Sequence, residues 1–220
     1  VGNWNAGRPE LLPGEQQMSE GLLHSLGLKH GTDKSQHLYM DVYERHIKRE
    51  SVKHLLEIGV QGGYSLRAWR EWLPEDSSVH GWDIDEIPQI EGCLVLKVDQ
   101  GNREQIESAI NGQIYDVIVD DGGHTPELIE TSFSFLFKYS KIYIIEDLHA
   151  WWLGYKNQDE EATVNLLENI DKNGWASKYS LPDEAEYIQK NADVVEVFHR
   201  GSRDAPLSMT AVIYNMENNK

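Results

Sequence analysis

The stretch Leu55-Leu56-Glu57-Ile58-Gly59-Val60-Gln61-Gly62-Gly63-Tyr64-Ser65 decides the fold. It passes from an apolar run of strand length, through a glycine turn, into a segment with helical spacing. Glycine lets a backbone turn sharply and approach a ligand closely. The Gly-x-Gly-x-x-Gly fingerprint of dinucleotide-binding folds does not fit here. Instead an acid, Glu57, stands on the strand two residues before the first glycine. That arrangement suits a ligand carrying an ammonium group better than a pyrophosphate. The plain alternative is a tight strand–helix turn with no ligand.

Outward from this stretch the chain alternates. The pattern predicts strands at 53–58, 78–83, 94–98, 114–120 and 141–146, and helices at 64–73, 102–111, 126–138 and 159–173. Thr125-Pro126-Glu127 is a strong helix start, with an N-cap candidate, proline in the first helical position and an acid in the first turn. Upstream, Gln16 to Leu28 has apolar residues at helical spacing (Met18, Leu22, Leu23, Leu26), and Tyr39 to Arg49 predicts a second helix. Residues 1–15 read as an irregular arm. Two strands close the chain, Val194–Phe198 and Met209–Tyr214, joined by a turn-rich loop from His199 to Ser208 with no helix between them. The expected fold class is α/β, a doubly wound, mostly parallel seven-stranded sheet with a C-terminal antiparallel hairpin. The expected organisation is an N-terminal arm with helices packing on the core over 1–50, and the main domain over 51–220.

Acids mark the strand ends. The fourth strand runs into Asp120-Asp121-Gly122-Gly123-His124, and the fifth into Glu146-Asp147-Leu148-His149. In a parallel sheet both acid pairs reach the carboxyl edge, where open α/β folds bind ligands. One acidic pair is ordinarily helix capping or a solvated loop. Two pairs at neighbouring strand ends favour a metal, and Mg²⁺ takes a few carboxylates with water or substrate completing its shell. His124, across a Gly-Gly turn from Asp121, suits proton abstraction near neutrality. Asp120 stays open between capping, supporting a ligand from behind and binding the metal. Asp83, ending the second strand, is placed for a ribose diol. Asp99 and Gln100, ending the third, could accept from an exocyclic amine. Each of these taken singly equals a helix N-cap in weight. Trp151, Trp152 and Tyr155 follow the second pair, either to stack on a ring or to cover the core. His30–Lys34 and His37 either close over a ligand or cap the helix near Tyr39.

Composition sets the outer limits. The chain has 220 residues, 40% hydrophobic and 26% charged, with a net charge of −17. That charge argues against a nucleic-acid backbone or an anionic membrane as partner. No apolar stretch approaches the roughly 20 residues of a membrane span, and no basic region followed by an apolar core opens the sequence. Cys93 is the single cysteine. It excludes an internal disulfide, fits a reducing cytoplasm, and lies in an apolar run that reads as buried strand.

Glu57–Ser65 resembles the first motif of class I S-adenosylmethionine-dependent methyltransferases, in the form found in cation-dependent catechol-type O-methyltransferases. A closer resemblance, to the metal-dependent sugar O-methyltransferases of macrolide and related natural-product pathways, rests on several segments. These are His30–Lys34, Tyr43–Arg45, Leu55–Val60, Ser65–Arg67, Asp120–His124 and Ile145–Leu148. It covers roughly residues 28–150, with Gly123 where that family would place serine.

The resemblance implies a Rossmann-like class I methyltransferase fold, S-adenosylmethionine and Mg²⁺ or another divalent cation as cofactors, and a small-molecule acceptor with a hydroxyl or vicinal diol. It leaves a homo-oligomer open. It implies that Glu57, Gly59, Gly63, Tyr64, Ser65, Asp83, Asp99, Gln100 and Asp120 bind the methyl donor. By the same reasoning Asp121, Glu146 and Asp147 hold the cation, and His124 is the general base. Two rivals remain. One is a catechol substrate. The other is a two-histidine, one-carboxylate iron site built from His124, His149 and one acid, as in cephalosporin-hydroxylase-like proteins.

Overall fold

The structure, a computed structural model, describes residues 21–156, 161–202 and 205–219. The expected N-terminal arm, the start of the first helix with Met18, and residues 159–160 lie outside the described residues.

Seven strands form one sheet. They are β1 (His54–Ile58), β2 (Ser78–Asp83), β3 (Cys93–Lys97), β4 (Tyr115–Asp120), β5 (Ser140–Ile145), β6 (Ala192–Ser202) and β7 (Ala205–Asn215), in the order β3-β2-β1-β4-β5-β7-β6. The first five strands are parallel, and β7 is antiparallel to both β5 and β6. The order reverses at β1, so β1 and β4 flank the crevice where a doubly wound sheet admits a ligand.

Eight α-helices stand among the described residues. They are α1 (Leu22–His30), α2 (Tyr39–His46), α3 (Tyr64–Trp72), α4 (Arg103–Ile110), α5 (Pro126–Leu136), α6 (Thr163–Glu168), α7 (Ile170–Asn173) and α8 (Pro182–Asn191). None is long and apolar enough to cross a membrane.

Period-2 alternation sends successive strand residues to opposite faces. Leu56, Ile58, Ile118, Tyr143 and Ile145 join one core with α4, α5, α6 and α8. Leu55, Val117, Val119 and Ile144 join the other with α1, α2 and α3. Residues 22–46 therefore share an apolar core with the sheet, through Leu23, Leu26, Tyr39, Met40, Val42 and Tyr43. The same alternation governs the acids. Glu57 falls on the α3 face and Asp120 on the α5 face. Asp121 and Glu146, one residue past their strands, continue on the α3 face.

Three expectations are corrected. The hairpin strands run on through His199 and Ser208, so the turn-rich loop expected there is largely β-ladder. Cys93 is half-buried on an edge strand, not inside a central one; burial pushes its thiol up to about 11. Helix α8 was not anticipated, although Leu181-Pro182-Asp183-Glu184 carries the proline and first-turn acids that announce α5. The Glu184 carboxylate caps its own helix by accepting from the Leu181 N–H at 2.8 Å, and it pairs with Arg103 at 2.8 Å.

At the opposite edge from the acids, Asp116 clamps three strands. It accepts from the Lys53 and His54 amides at 2.6 and 2.9 Å and from the Lys141 ammonium at 2.8 Å. Burial opposes its charge, but Lys141 and the two amides outweigh burial and hold the carboxyl below its ordinary value. A depressed carboxylate stabilises above the unfolded pKa and loses that contribution as pH falls. Asp116→Ala should cost about 1–2 kcal/mol near neutrality, discounted for partial exposure. The deficit in urea unfolding should shrink below about pH 4. A deficit independent of pH would contradict the clamp.

Candidate active site at the carboxyl edge of the sheet

A cavity of about 540 Å³ opens at the carboxyl ends of β1–β5, within the range of about 300–1,000 Å³ typical of small-molecule sites. Its lining includes Gly59–Gln61, Tyr64 and Ser65 from the glycine turn, Asp83 and Asp85 after β2, and Asp99 and Gln100 after β3. The opposite wall carries Asp121–His124, Glu146, Asp147, Lys34 and Tyr39. Of the residues expected to bind the methyl donor, Glu57, Gly63 and Asp120 stand outside this lining.

The glycine turn is shaped by its neighbours. Gly59 has φ +87°, and a Cβ there would collide with the Asp121 carbonyl. Glycine at this position thus lets the ends of β1 and β4 close together. The Asp83 carboxylate accepts from the Val60 and Gln61 amides at 2.8 and 2.9 Å and from Asp85 N at 2.9 Å. A carboxylate has about four lone-pair sites, so Asp83 retains acceptor capacity toward the cavity it lines. Asp99 Oδ1 accepts from Gly101 N at 2.8 Å.

Glu57 lies beneath this wall. Fully buried, it accepts from the Ser65 hydroxyl and from Trp69 Nε1 at 2.6 Å. Burial raises its pKa, against the Lys34 ammonium 3.9 Å away. Its visible work is to fix Ser65 and the start of α3.

Asp120 is also buried. It accepts from Ser132 Oγ at 2.5 Å and from Tyr143 Oη and Gln100 Nε2, each at 3.0 Å. Gln100 in turn accepts from Gly123 N at 2.5 Å. The Gln100 amide, expected to face an adenine, is instead committed to this network, which holds the Gly122-Gly123 turn and so aims His124. A Cβ at Gly123 would press on the tip of Leu128, consistent with glycine in place of serine.

The second acid pair divides. Glu146 is 1% exposed; both its oxygens take the Lys34 ammonium at 2.8 Å, and Tyr43 donates to it as well. Burial pushes Glu146 up to about 7 despite Lys34. Asp147 sits at φ +51°, a left-handed conformation that aspartate tolerates, and accepts from Tyr39 Oη at 2.7 Å. His124 Nε2 lies 3.6 Å from Asp147 Oδ2.

Among the described residues, Asp121, His124 and Asp147 form the group able to hold a metal, with one ligand atom from each within 4.8 Å of the others. Two carboxylates and an imidazole at this spacing fit a divalent cation. Glu146, expected as a metal ligand, is outside this group, and His124, expected beside it, is inside. His149 is outside it too: its Nδ1 is buried without a hydrogen-bond partner, 3.8 Å from Asp147. The iron arrangement with two histidines is therefore not assembled. Trp151 and Trp152 pack on the core, whereas Tyr155 is 52% exposed with its ring edge-on to His124.

Lys34, read in the sequence only within the His30–Lys34 segment, stands among Glu57, Asp121 and Glu146. It is 3% exposed and also lies 2.5 Å from Asp121 Oδ2. Burial works against its charge, but Asp121, Glu146 and Glu57 together raise its pKa well above the ordinary lysine value.

The structure superposes on the MycE methyltransferase of the mycinamycin biosynthetic pathway, crystallised with Mg, SAH and mycinamycin VI. The TM-score is 0.68 at 22% identity, over 90% of this chain and 55% of that one. The fold is that of the class I methyltransferases. In sequence the chain resembles the sugar O-methyltransferases of natural products. It is 28% identical over 186 residues to the mycinamicin VI 2''-O-methyltransferase of Micromonospora griseorubida, covering 74% of this chain and 46% of that enzyme. It is 30% identical over 194 residues to a rhamnosyl-tetracenomycin-C 3'-O-methyltransferase of Streptomyces olivaceus, covering 75% and 48%. The chain thus spans about half the length of the curated relatives it matches. No family model matches it.

The Asp120 network predicts a stability effect separate from chemistry. Asp120→Ala leaves Ser132, Tyr143 and Gln100 without their buried acceptor and should cost about 2–4 kcal/mol in denaturant unfolding. An unchanged unfolding midpoint would show that the network does not hold the turn.

Proposed function

We propose that this chain carries the catalytic domain of an S-adenosylmethionine-dependent, divalent-cation-assisted O-methyltransferase. Its acceptor is a hydroxyl of a small molecule, a sugar of a glycosylated natural product. The observation that carries this reading is the union, in one cavity, of the glycine turn with Asp83 and Asp99 on one wall and Asp121, His124 and Asp147 on the other. The relatives' named reactions, all methyl transfers to sugar oxygens, support the acceptor class. Residues 51–220 hold donor and cation on this reading, and residues 22–46 complete the acid wall.

Asp83 would accept from the ribose hydroxyls, and Asp99 would face the base. The main-chain turn at Gly59–Gln61, with Tyr64 and Ser65, would enclose the methionine part. Glu57 would act through Ser65 and through its charge near the donor's ammonium. Asp121 and Asp147 would hold a divalent cation, which supplies charge to orient a vicinal diol and ease loss of its proton. His124 would take that proton on an imidazole nitrogen kept off the cation, and Asp147, 3.6 Å from its Nε2, would stabilise the imidazolium. The donor would supply an electrophilic methyl carbon, to which the acceptor oxygen would bond in line as the carbon–sulfur bond breaks and the neutral thioether leaves.

Calorimetry should show S-adenosylhomocysteine binding to the protein. Labelled-methyl transfer to a panel of glycosides and catechols should require Mg²⁺ and select a glycoside. His124→Ala should lower transfer by roughly 10²–10⁴-fold while changing S-adenosylhomocysteine affinity by less than about threefold. Absence of both cofactor and cation binding would sink the reading, and full transfer by His124→Ala would remove the base assignment alone.

A further inference from the structure

The short 3₁₀ turn Leu148–Leu153 follows directly on Asp147, and the steps above leave its far end without a task. Its root is anchored. Leu148 and Ala150 are buried, and Trp151 and Trp152 pack on the core. Its end is fixed by the backbone. Gly154, at φ +100°, turns the chain, and the Tyr155 N–H then donates to the Ala150 carbonyl at 3.1 Å. The Lys156 N–H donates to the Gly154 carbonyl at 2.9 Å, and its ammonium lies 3.6 Å from the centre of the Trp151 ring.

The side chain that this turn sets out is Tyr155. It is 52% exposed and makes no hydrogen bond through its hydroxyl among the described residues. It stands outside the cavity lining, beside a residue that belongs to it. The ring centres of Tyr155 and His124 are 6.2 Å apart with their planes at 64°, so the two rings do not stack. An exposed aromatic side chain alone carries no message. This one has a fixed backbone and adjoins the imidazole assigned to the acceptor's proton. The acceptor oxygen must come within about 2.6–3.2 Å of that imidazole, which brings the ring bearing the oxygen within reach of the phenol. The face of a phenol is electron-rich. The C–H groups of a sugar ring, polarised by its oxygens, are complementary to that face.

We propose that Tyr155 is a binding platform for the acceptor: the sugar ring that carries the reacting hydroxyl packs its C–H face on the phenol, beside His124. The inference rests on the proposed sugar acceptor and is independent of which acids hold the cation. The face of the ring makes the contact and the hydroxyl does not, so phenylalanine serves in its place and alanine fails.

The test uses the chain saturated with S-adenosylhomocysteine and Mg²⁺. The probe is methyl α-L-rhamnopyranoside, chosen because one relative acts on a rhamnosyl group. Saturation-transfer NMR should show the probe bound through its ring C–H signals. Tyr155→Phe should keep its affinity within about threefold of wild type, and Tyr155→Ala should lose about tenfold or more. With S-adenosylmethionine in place of the product, Tyr155→Ala should raise the KM for the rhamnoside about tenfold or more. It should leave kcat within about threefold and the pH profile of transfer unmoved.

Equal rhamnoside affinity in wild type and Tyr155→Ala overturns the proposal. So does a loss in Tyr155→Phe as large as that in Tyr155→Ala, which would place the contact on the hydroxyl. A fall in kcat with a shifted pH profile at constant KM also overturns it, because Tyr155 would then act through His124. A wild-type chain that binds S-adenosylhomocysteine but not the rhamnoside overturns it too, whereas failure to bind S-adenosylhomocysteine removes the methyltransferase reading itself.

Discussion

Carboxylates gathered at one edge of a sheet repel one another, and several here are buried. Glu57 and Glu146 are almost wholly enclosed, and Asp121 stands between them. The arrangement persists because a single ammonium, Lys34, is set among the three. Unpaired buried charge is strongly destabilising, so the acid wall depends on this contact more than on any strand pairing. The contact also explains the N-terminal layer. Helices α1 and α2 bury Leu23, Leu26, Met40 and Val42 against the sheet, and in doing so bring Lys34, Tyr39 and Tyr43 to Glu146, Asp147 and Asp121.

The division of labour among the acids follows from geometry. Alternation sends Asp120 toward α5, where Ser132, Tyr143 and Gln100 absorb it, and sends Asp121 toward the cavity. Glu146 is claimed by Lys34 and Tyr43. Asp147, turned by its left-handed backbone, is the member of that pair free to face His124. Two acid pairs that look equivalent in sequence thus differ, since of their buried members Asp120 stands outside the cavity lining and Glu146 within it. The buried members are held by side chains of neighbouring elements, and Asp121 and Asp147 stand with His124.

Much of this was legible before the structure. The glycine turn, the alternation of strands and helices and the parallel-to-antiparallel change at the tail all follow local pattern, and β1–β5 and α3–α5 appear close to their expected bounds, whereas the helix expected over 159–173 is divided into α6 and α7. The sequence left Asp120 open against Asp121; in the structure Ile118 and Asp120 share one face while Val119 and Asp121 share the other. What local pattern could not supply was Lys34. Its partners lie 87 and 112 positions away, and a lysine in a polar loop ordinarily signals solvent. The contacts of Glu146 were out of reach for the same reason, since its partners come from a helix and a turn more than 100 residues earlier. Helix α8 was missed although its start signal was present, and the hairpin was shortened because Gly201 and Pro206 read as loop residues while the ladder continues past them.

The division of the acid wall is most directly tested by anomalous diffraction from crystals grown with Mn²⁺ and S-adenosylhomocysteine. A single peak coordinated by Asp121 and Asp147, with His124 beside it and not bound to it, is the predicted result. A peak elsewhere, or one coordinated by the His124 imidazole, would contradict it.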